Sequence, residues 1–402
     1  MAITKKNGEG RVRQAVILAG GMGIRLRPYT YDKPKLMVEV NGRPFFCYLL
    51  DELKKNGIEE VVFLLGYLPE KVQEYFGDGS KHGLKIRYSI GPADDSTGTR
   101  VRKAKDLLRE RFLLMYCDNF IHLDLEKLHD FHVQKNALMT KVVYTNRYGF
   151  TKNNVLVDND GNVLIYDKSR TKPDLNGVDL GFFIVEKEIV SRMPARDFWL
   201  YELFPALIAE KKLAGFTTNN LYYSLSTPER MKLTERFFTP RKVIFLDRDG
   251  VINKKMPRGE YVTKWAEFEF LPGAKDAMKI LTDADYETYI ISNQAGIGRG
   301  LMRDSDLFEI HKNMEKELGE YGVRISAIYY CPHRSEDNCL CRKPKPGMLF
   351  RAALDHQIDL PSAVFVGDDP RDIEAGNAAG CRTILLKEGK TLLEAVKSLV
   401  NS

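Results

Sequence analysis

The sequence predicts an α/β protein of two domains, each a mostly parallel sheet flanked by helices. Three observations lead to this prediction. The chain has 402 residues, more than the roughly 250 to 300 at which a single core stops growing. Apolar runs of strand length alternate with helical patterns, which is typical of β-α-β units. This alternation starts twice along the chain and therefore indicates two sheets.

The first series of elements begins near the N-terminus. It consists of a strand at 14–18, a helix at 45–56, a strand at 60–65 and a helix at 69–76. The second series consists of strands at 243–246, 288–291 and 363–366 and a helix at 273–284. Between the two series, 226–229 carries the cap, proline and acidic residue that begin a helix, and Thr239-Pro240 ends it. We therefore expect domains at 1–238 and 239–402.

Composition and charge limit the classes of function. The chain is 44% hydrophobic, yet no stretch approaches the ~18 uninterrupted apolar residues of a membrane span. The polar segment 1–13 lacks the apolar core of a secretory signal. The net charge of +6 is spread along the chain, which suits phosphorylated substrates better than nucleic acid. We expect a cytoplasmic protein without a membrane or nucleic-acid partner; the oligomeric state, including a homo-oligomer, stays open.

The six cysteines fall into two groups. Three are isolated in apolar stretches and are expected to be core thiols: Cys47, Cys117 and Cys381. The others form, with one histidine, a cluster of four ligands: Cys331, His333, Cys339 and Cys341. Three thiolates and an imidazole at this density are typical of tetrahedral Zn²⁺. Because the protein fills all four positions, we expect the zinc to be structural.

A glycine-rich loop follows the first predicted strand. Its glycines are Gly20, Gly21 and Gly23. Glycines at the end of a buried strand let backbone N–H groups approach a triphosphate without a Cβ in the way. Arg25 and Lys35 can add positive charge.

Residues 18–44 resemble the signature of sugar-1-phosphate nucleotidyltransferases, nearest to the heptose- and mannose-1-phosphate guanylyltransferase branch, and the similarity continues to residue 89. The resemblance implies a Rossmann-like fold and nucleotidyl transfer from a nucleoside triphosphate to a sugar phosphate. GTP is the favoured donor, with ATP and CTP left open. The implied nucleotide-binding residues are Gly20, Gly21, Gly23, Arg25 and Lys35. Asp118 would hold Mg²⁺, and Lys168 would contact the sugar phosphate.

Three segments depart from that family's pattern. Its Gly-Thr-Gly-Gly segment reads Thr97 to Arg100, and its Gly-Asp pair reads Cys117-Asp118. Its second metal aspartate aligns with Ser224, and a serine binds Mg²⁺ poorly. Either Asp179 or another carboxylate compensates, or this domain is slow or only binds ligand.

Two carboxylates follow the first strand of the second series. Asp247 and Asp249 are two residues apart, so both side chains can point to one side of an extended segment. Further polar groups follow the later apolar runs, in the order Ser292, Asn293, Lys343, Asp368 and Asp369. This order resembles the four motifs of the haloacid dehalogenase (HAD) phosphatase superfamily.

The HAD resemblance implies a Rossmannoid fold and Mg-dependent phosphate hydrolysis. Asp247 would attack phosphorus, and Asp249 would act as acid and then base. The Asp247 and Asp368 carboxylates and the Asp249 carbonyl would hold Mg²⁺. Ser292, Asn293 and Lys343 would bind the phosphoryl oxygens. Asp369 receives no role.

The zinc cluster and the segments 247–250, 296–300 and 341–348 narrow the resemblance. Over 241–390 the chain is similar to D-glycero-D-manno-heptose 1,7-bisphosphate 7-phosphatases, while histidinol-phosphate phosphatases share a similar zinc loop. The resemblance implies hydrolysis of the C7 phosphate. Arg299 and Arg342 are expected to bind substrate.

Both resemblances point to synthesis of a nucleotide-activated heptose, as used in lipopolysaccharide or S-layer glycans. The phosphatase would make heptose 1-phosphate and the transferase would activate it. The alternative is a phosphatase whose N-terminal domain is a non-catalytic binding module, for which Ser224 is the best support. Pyrophosphate release from GTP and heptose 1-phosphate discriminates between the two.

Overall fold

A computed structural model describes residues 10–257, 259–387 and 389–401. The chain divides into two compact units, Met1–Arg236 and Phe237–Ser402. Each unit is built on its own sheet with helices around it, so the predicted α/β class is confirmed. In the described part of the chain, every helix is too short or too polar to cross a membrane.

The first unit contains thirteen strands and six α-helices among its described residues. The strands are β1 (Gln14–Ala19), β2 (Glu39–Val40), β3 (Arg43–Pro44), β4 (Glu60–Leu65), β5 (Lys85–Ile90), β6 (Arg111–Tyr116), β7 (Asn119–Phe120), β8 (Met139–Tyr144), β9 (Val155–Val157), β10 (Val163–Tyr166), β11 (Val178–Glu186), β12 (Leu213–Thr218) and β13 (Tyr223–Ser224). The helices are α1 (Phe45–Lys55), α2 (Pro69–Phe76), α3 (Thr97–Lys103), α4 (Leu125–Gln134), α5 (Phe204–Ala209) and α6 (Pro228–Phe238), the last of which contains the division between the units.

Seven of these strands form one sheet in the order β12-β8-β11-β6-β1-β4-β5. All neighbours pair in parallel except β11, which runs antiparallel to both β6 and β8. Strand β1 is buried along its whole length, as its run of apolar residues requires for a central parallel strand covered on both faces. The carboxyl ends of β1, β4 and β6 therefore meet at one edge of the sheet.

The second unit is a smaller parallel sheet. Its strands are β14 (Lys242–Leu246), β15 (Tyr286–Asn293), β16 (Ala327–Cys331), β17 (Val364–Gly367) and β18 (Arg382–Leu385). Its helices are α7 (Ala274–Asp283), α8 (Ala295–Gly298), α9 (Asp304–Glu320), α10 (Gly347–His356), α11 (Pro370–Ala379) and α12 (Leu392–Val400). The strand order is β16-β15-β14-β17-β18, and every pair is parallel.

A fully apolar core holds the second unit together. It joins Ile244 and Ile290 of the sheet to Met278 of α7 and Met314 of α9. The central strand β14 ends at Leu246, immediately before Asp247. In open parallel sheets, ligands bind outside the carboxyl ends of the strands, and the fold thus presents Asp247 at that position.

Strand β15 is longer than the run at 288–291 that hydrophobicity predicted. Its first residues, Tyr286 and Glu287, pair with β14, and its last, Ser292 and Asn293, pair with β16. Polar residues enter a strand here because backbone pairing, rather than side-chain burial, defines the ends of the element. Ser292 and Asn293 are thereby fixed within the sheet instead of on a loose turn.

Candidate active sites

A buried lysine joins two aspartates at the carboxyl edge of the second sheet. Lys343 Nζ lies 2.8 Å from Asp247 Oδ1 and 2.7 Å from Asp372 Oδ1, and it donates a hydrogen bond of 2.8 Å to the Ile291 carbonyl. Lys343 and Asp372 are 3% and 1% exposed. A buried ammonium needs such partners because its desolvation is costly. The lysine is consequently fixed beside Asp247.

Asp372 is not among the residues predicted from the sequence, the last of which is Asp369. It lies in the first turn of α11 and accepts a hydrogen bond of 3.1 Å from the backbone N–H of Asp369, which caps that helix. Its sequence signal is the pairing of an N-cap acid with an acid three residues later, which is read as ordinary helix capping. Arg371 and Lys255 also line the site and were not predicted.

Three carboxylates of the site lie close to one another. Ligand oxygens of Asp247, Asp368 and Asp372 all lie within 4.8 Å of one another. The Asp368 Oδ1 atom is buried without a hydrogen-bond partner, while its Oδ2 lies 2.6 Å from Lys255 Nζ. Burial raises the pKa of Asp368, and the Lys255 cation opposes that shift. The orphaned oxygen and the hard carboxylate donors fit Mg²⁺.

A glycine allows the turn that follows β14 to approach Asp368, which follows β17. Gly250 has a φ of +93°, and a Cβ at this position would collide with the Asp368 carboxylate. Only glycine combines that backbone conformation with the missing side chain. The turn after Asp249 can therefore pass directly against Asp368.

Asp249 is held by a second buried cation, which was not predicted from the sequence. Arg248, fully buried, lies 3.0 Å from Asp249 Oδ1 and 3.1 Å from Oδ2. Asn253 and Gln294 donate further hydrogen bonds to this carboxylate, of 3.0 and 2.8 Å. Burial acts to raise the pKa of Asp249, but Arg248 and these hydrogen bonds hold it below its ordinary value. The group is thus presented as a carboxylate.

The predicted phosphoryl-binding residues are brought to the same cavity. Ser292 and Asn293 line it with Asp247, Asp249 and Lys343, and its volume is about 80 Å³. The Asn293 side chain also exchanges two hydrogen bonds of 3.1 Å with the Lys343 backbone. Pockets that enclose a small ligand usually measure about 300–1,000 Å³. This one suits a phosphoryl group, with the remainder of a substrate outside it.

The four predicted zinc ligands converge on one point. The three sulfurs of Cys331, Cys339 and Cys341 lie 3.4–3.6 Å apart. His333 Nδ1 is 3.6 Å from the Cys331 sulfur and 3.3 Å from that of Cys341. Tetrahedral Zn–S bonds of about 2.3 Å would put the sulfurs about 3.8 Å apart, whereas a disulfide needs about 2.05 Å. The arrangement fits a closed zinc site.

The two arginines predicted to bind substrate have different surroundings. Arg342 follows Cys341, the last residue of the cluster, and donates a hydrogen bond of 3.1 Å to the His333 carbonyl, so the cluster also fixes its guanidinium. Arg299 is exposed, and its guanidinium lies 6.0 Å from the centre of the Tyr261 ring.

The three cysteines outside the cluster are buried, as expected: Cys47, Cys117 and Cys381.

In the first unit, two predicted residues form an ion pair. Lys35 Nζ lies 2.5 Å from Asp118 Oδ2, and Asp118 follows β6 at the carboxyl edge of the sheet. The glycine loop leaves the neighbouring strand β1 at the same edge. Gly21 and Arg25 are exposed, and Gly23 adopts a φ of +63°. Nucleotide and metal residues implied by the resemblance are therefore gathered at one end of β1 and β6.

Arg100, one of the departures from the family pattern, packs its guanidinium against this loop at Gly20. Its guanidinium donates to the Leu65, Pro92 and Ala93 carbonyls at 2.7, 2.7 and 3.1 Å. A Cβ at Gly20 would collide with it. The glycine is required here for packing against arginine, in addition to any role in phosphate binding.

Ser224 lies beside Asp118, where the resemblance expects a second metal ligand. Strand β13 pairs with β7 so that Ser224 is opposite Asn119, and the Leu225 N–H donates to the Asp118 carbonyl at 3.0 Å. Asp179 does not fill the missing carboxylate role freely, because its Oδ2 lies 2.7 Å from the buried Lys141 Nζ. The side chain at position 224 is a neutral hydroxyl, which lies 3.0 Å from the Ser226 hydroxyl.

Lys168 lies over two aromatic rings. Its Nζ is 4.8 Å from the centre of the Trp199 ring and 4.4 Å from that of Tyr201. The preceding Asp167 accepts backbone hydrogen bonds from Ser169, Thr171 and Lys172, which fixes the turn that carries the lysine.

Comparison with known families agrees with this division into two sites. The nucleotidyl transferase family model matches residues 14–215, and a HAD-hydrolase-like model matches residues 340–401. A crystal structure from Bacillus anthracis, assigned as a glucose-1-phosphate thymidylyltransferase, covers 57% of this chain and 97% of its own, with 15% identity and a TM-score of 0.51. That likeness concerns the fold of the first unit.

Two curated relatives match the second unit. D-glycero-beta-D-manno-heptose-1,7-bisphosphate 7-phosphatase of Bordetella bronchiseptica is 40% identical over 156 residues, which are 38% of this chain and 86% of that protein. The D-glycero-alpha-D-manno-heptose-1,7-bisphosphate 7-phosphatase of Campylobacter jejuni is 39% identical over 145 residues, 36% of this chain and 81% of that protein. The relatives thus include enzymes named for both anomers.

Proposed function

The chain belongs to the nucleotidyl transferase family through its first unit and to the heptose-1,7-bisphosphate 7-phosphatases of the HAD superfamily through its second, and on that premise we propose that it makes a nucleotide-activated heptose in two steps. The second unit hydrolyses the C7 phosphate of D-glycero-D-manno-heptose 1,7-bisphosphate. The first unit then transfers a nucleotidyl group, with GTP the favoured donor, to the remaining 1-phosphate.

The contact between Asp247 and Lys343 carries the phosphatase proposal. A carboxylate oxygen of Asp247 attacks the C7 phosphorus, the bond from phosphorus to the C7 oxygen breaks, and an aspartyl-phosphate forms. Lys343, 2.8 Å from Asp247, offsets the negative charge of nucleophile and phosphoryl group. Mg²⁺ held by Asp247, Asp368 and the Asp249 carbonyl would add charge neutralisation. Ser292 and Asn293 orient the phosphoryl oxygens.

Asp249 completes both halves of the reaction. It gives a proton to the departing C7 alkoxide, then takes one from the water that attacks the aspartyl-phosphate, so that inorganic phosphate leaves and Asp247 is restored. Its pKa is low in the structure because of Arg248, which suits the base step. A bound phosphate dianion raises the pKa of a neighbouring carboxyl, and this favours the protonated form that the first step needs.

The zinc cluster supports substrate binding beside this cavity. Zn²⁺ held by Cys331, His333, Cys339 and Cys341 would be structural, since four protein ligands leave no position for water. Arg342 is hydrogen-bonded to the His333 carbonyl and can bind a second phosphate in bidentate fashion. We place the anomeric phosphate there, at a distance from Asp247, which leaves the C7 phosphate for hydrolysis.

The ion pair of Lys35 with Asp118 supports nucleotidyl transfer by the first unit. Proteins usually hold Mg²⁺ through one or two carboxylates together with substrate phosphates, and Asp118 with the Ser224 hydroxyl suits a metal that arrives with the nucleotide. The sugar phosphate oxygen attacks the α-phosphorus and pyrophosphate leaves. The chain's contribution is alignment by the glycine loop and charge from Arg25 and Lys35.

A second candidate function is a phosphatase with a non-catalytic ligand-binding unit. Its support is two features that reduce the metal-binding capacity of the first unit. Position 224 is a serine where the resemblance expects an aspartate, and the Asp118 and Asp179 carboxylates are both ion-paired, with Lys35 and Lys141. Incubation of the protein with GTP and heptose 1-phosphate separates the two candidates. Release of pyrophosphate supports the transferase, and binding of GTP without release supports the second candidate.

A further inference from the structure

A lysine in the cavity beside Asp247 pairs with a predicted metal ligand. Lys255 Nζ lies 2.6 Å from Asp368 Oδ2 and 3.6 Å from Asp369 Oδ2, and Lys255 lines the same cavity as Asp247 and Lys343. The Lys255 side chain is 46% exposed, whereas that of Lys343 is 3% exposed. The cavity therefore has one buried cation that is fixed in place and one partly exposed cation whose side chain has room to move.

The backbone that carries Lys255 is fixed beside the site. Asn253 is fully buried, and its side chain donates a hydrogen bond of 3.0 Å to Asp249 Oδ1. The Lys254 N–H donates to the Glu269 carbonyl at 2.8 Å. Lys255 consequently starts from a defined point near Asp249, and rotation of its side chain is enough to carry the ammonium from one partner to another.

Asp368 divides its two oxygens between two kinds of cation. Among the described residues its Oδ1 is buried without a hydrogen-bond partner, and its Oδ2 holds Lys255. In the proposed hydrolysis Asp368 is a ligand of Mg²⁺. Two cations that share one carboxylate repel each other, and the repulsion is larger when one of them is divalent. The ion pair between Asp368 and Lys255 is therefore weakened whenever the metal is bound.

Every carboxylate that the structure places along the cavity already has a cation of its own. Asp369 is held by Arg371 through two hydrogen bonds of 2.9 and 2.7 Å. The remaining pairs are Asp249 with Arg248, and Asp247 and Asp372 with Lys343. A Lys255 ammonium displaced from Asp368 thus meets acids that are already neutralised, and the strongest acceptor that can enter the cavity is a phosphoryl group.

We propose that Lys255 exchanges partners when the metal binds. Without metal it neutralises Asp368, and with Mg²⁺ on Asp368 it binds a non-bridging oxygen of the phosphoryl group in the cavity. One lysine then opposes binding of the metal alone and favours binding of phosphate to the metal-loaded site, which couples the two ligands. The inference rests on the proposed hydrolysis at Asp247 and adds a phosphate-binding residue to it.

The chain offers a matched control in the neighbouring lysine. Lys254 Nζ lies 3.4 Å from Glu269, and both of these side chains are exposed. Lys254→Met and Lys255→Met remove the same charge from adjacent positions, but only the second removes the partner of Asp368. Both changes are made in full-length protein that also carries Asp118→Ala, so that a divalent ion reports on the second unit.

Mn²⁺ serves as the metal probe, because the electron paramagnetic resonance signal of the free ion measures its binding without turnover. Lys255→Met should lower the Kd for Mn²⁺ by about ten-fold in the absence of phosphate, since a repelling charge is gone. For the Mn²⁺-loaded protein, calorimetry should show a Kd for inorganic phosphate that is raised by about ten-fold, since a charge-assisted hydrogen bond is lost. Lys254→Met should change neither constant.

The opposite signs of the two effects distinguish this role from a structural one. Lys255→Arg keeps the charge and should leave both constants close to those of the unsubstituted residue. Lower affinity for both ligands, or unchanged affinity for either one, in Lys255→Met would overturn the inference. Kinetics should follow the same pattern, with a higher KM for the bisphosphate and a lower Mg²⁺ concentration for half-maximal hydrolysis. Were the unsubstituted protein to hydrolyse no heptose bisphosphate, the proposed function would fail, and the two binding constants would still decide the role of Lys255.

Discussion

The ammonium of Lys343 lies 2.8 Å from the Asp247 carboxylate, although one residue precedes α10 and the other follows β14. Lys343 is nearly fully buried and Asp372 holds it from the other side. The folded sheet thus positions the proposed nucleophile and this cation before a substrate arrives. Such preorganised charge is usually the largest contribution to catalysis of phosphoryl transfer.

Asp247→Asn should abolish phosphate release and spare nucleotidyl transfer. The amide has nearly the same shape but cannot form the aspartyl-phosphate, and we expect a loss of at least about a thousand-fold in kcat. Malachite-green detection of phosphate and a coupled pyrophosphate assay measure the two activities on one preparation. A folded variant that loses both activities would contradict the assignment of separate sites.

The zinc cluster should contain one metal ion per chain. Elemental analysis of freshly purified protein should give one zinc, and Cys339→Ser should lower both the zinc content and the melting temperature of the second unit, because structural zinc contributes directly to folding free energy. Cys381→Ser, which removes a buried thiol of the same unit outside the cluster, should retain the metal. Zinc-free protein with full stability would refute the site.

Asp118→Ala should remove nucleotidyl transfer and leave phosphate release intact. Asp160→Ala, at an exposed turn of the same unit, is the matched control and should transfer normally. Ser224→Asp should lower the Mg²⁺ concentration needed for half-maximal transfer, since it adds a carboxylate beside Asp118. If Asp118→Ala retained the full rate, the transferase site would lie elsewhere.

The stability of the second unit should depend on the buried His311. Its Nε2 lies 3.2 Å from Arg248 Nη1, and burial together with that cation lowers the pKa of His311 from 6.5 to about 3, although Asp249 acts in the opposite direction. The unfolded chain binds this proton below about pH 6.5 and the folded chain does not until about pH 3. Proton binding by the unfolded chain therefore leaves the free energy of unfolding unchanged above about pH 6.5 and reduces it as the pH drops towards 3.

When the pH is lowered from 7 to 5, this histidine should reduce the free energy of unfolding of the second unit by up to about 2 kcal/mol. Urea denaturation followed by Trp265 emission in a Trp199→Phe variant measures the second unit alone. Adding His311→Gln should reduce the difference between the two pH values, which isolates this group from other titrations, including those of the zinc ligands. Identical pH dependence with and without His311 would contradict the assignment. The Tyr330 ring, 6.0 Å away, carries no charge in this range.

The sequence was sufficient to predict residues that end strands. Asp247, Ser292 and Asp368 each follow or close a parallel strand, and because the carboxyl ends of such strands meet, their convergence could be expected. The convergence of the four Cys and His side chains could be expected for a different reason, since soft ligands so close in sequence have few other uses.

Residues whose contacts depend on the packing of a helix could not be predicted in this way. Asp372 resembles a helix-capping acid, and His311 occupies an ordinary buried position of α9. Their contacts with Lys343 and Arg248 depend on how each helix packs on the sheet. The antiparallel direction of β11 could not be predicted either, because a buried strand has the same apolar pattern in either direction.

Phosphorus NMR of the product of heptose 1,7-bisphosphate tests the central claim most directly. The two activities can cooperate only if the anomeric phosphate is kept, because it is the nucleophile of the second step. The protein with Mg²⁺ should release the C7 phosphate and leave heptose 1-phosphate, and added GTP should then convert this signal to that of GDP-heptose with pyrophosphate. Release of the C1 phosphate, or faster hydrolysis of histidinol phosphate than of the bisphosphate, would contradict the account.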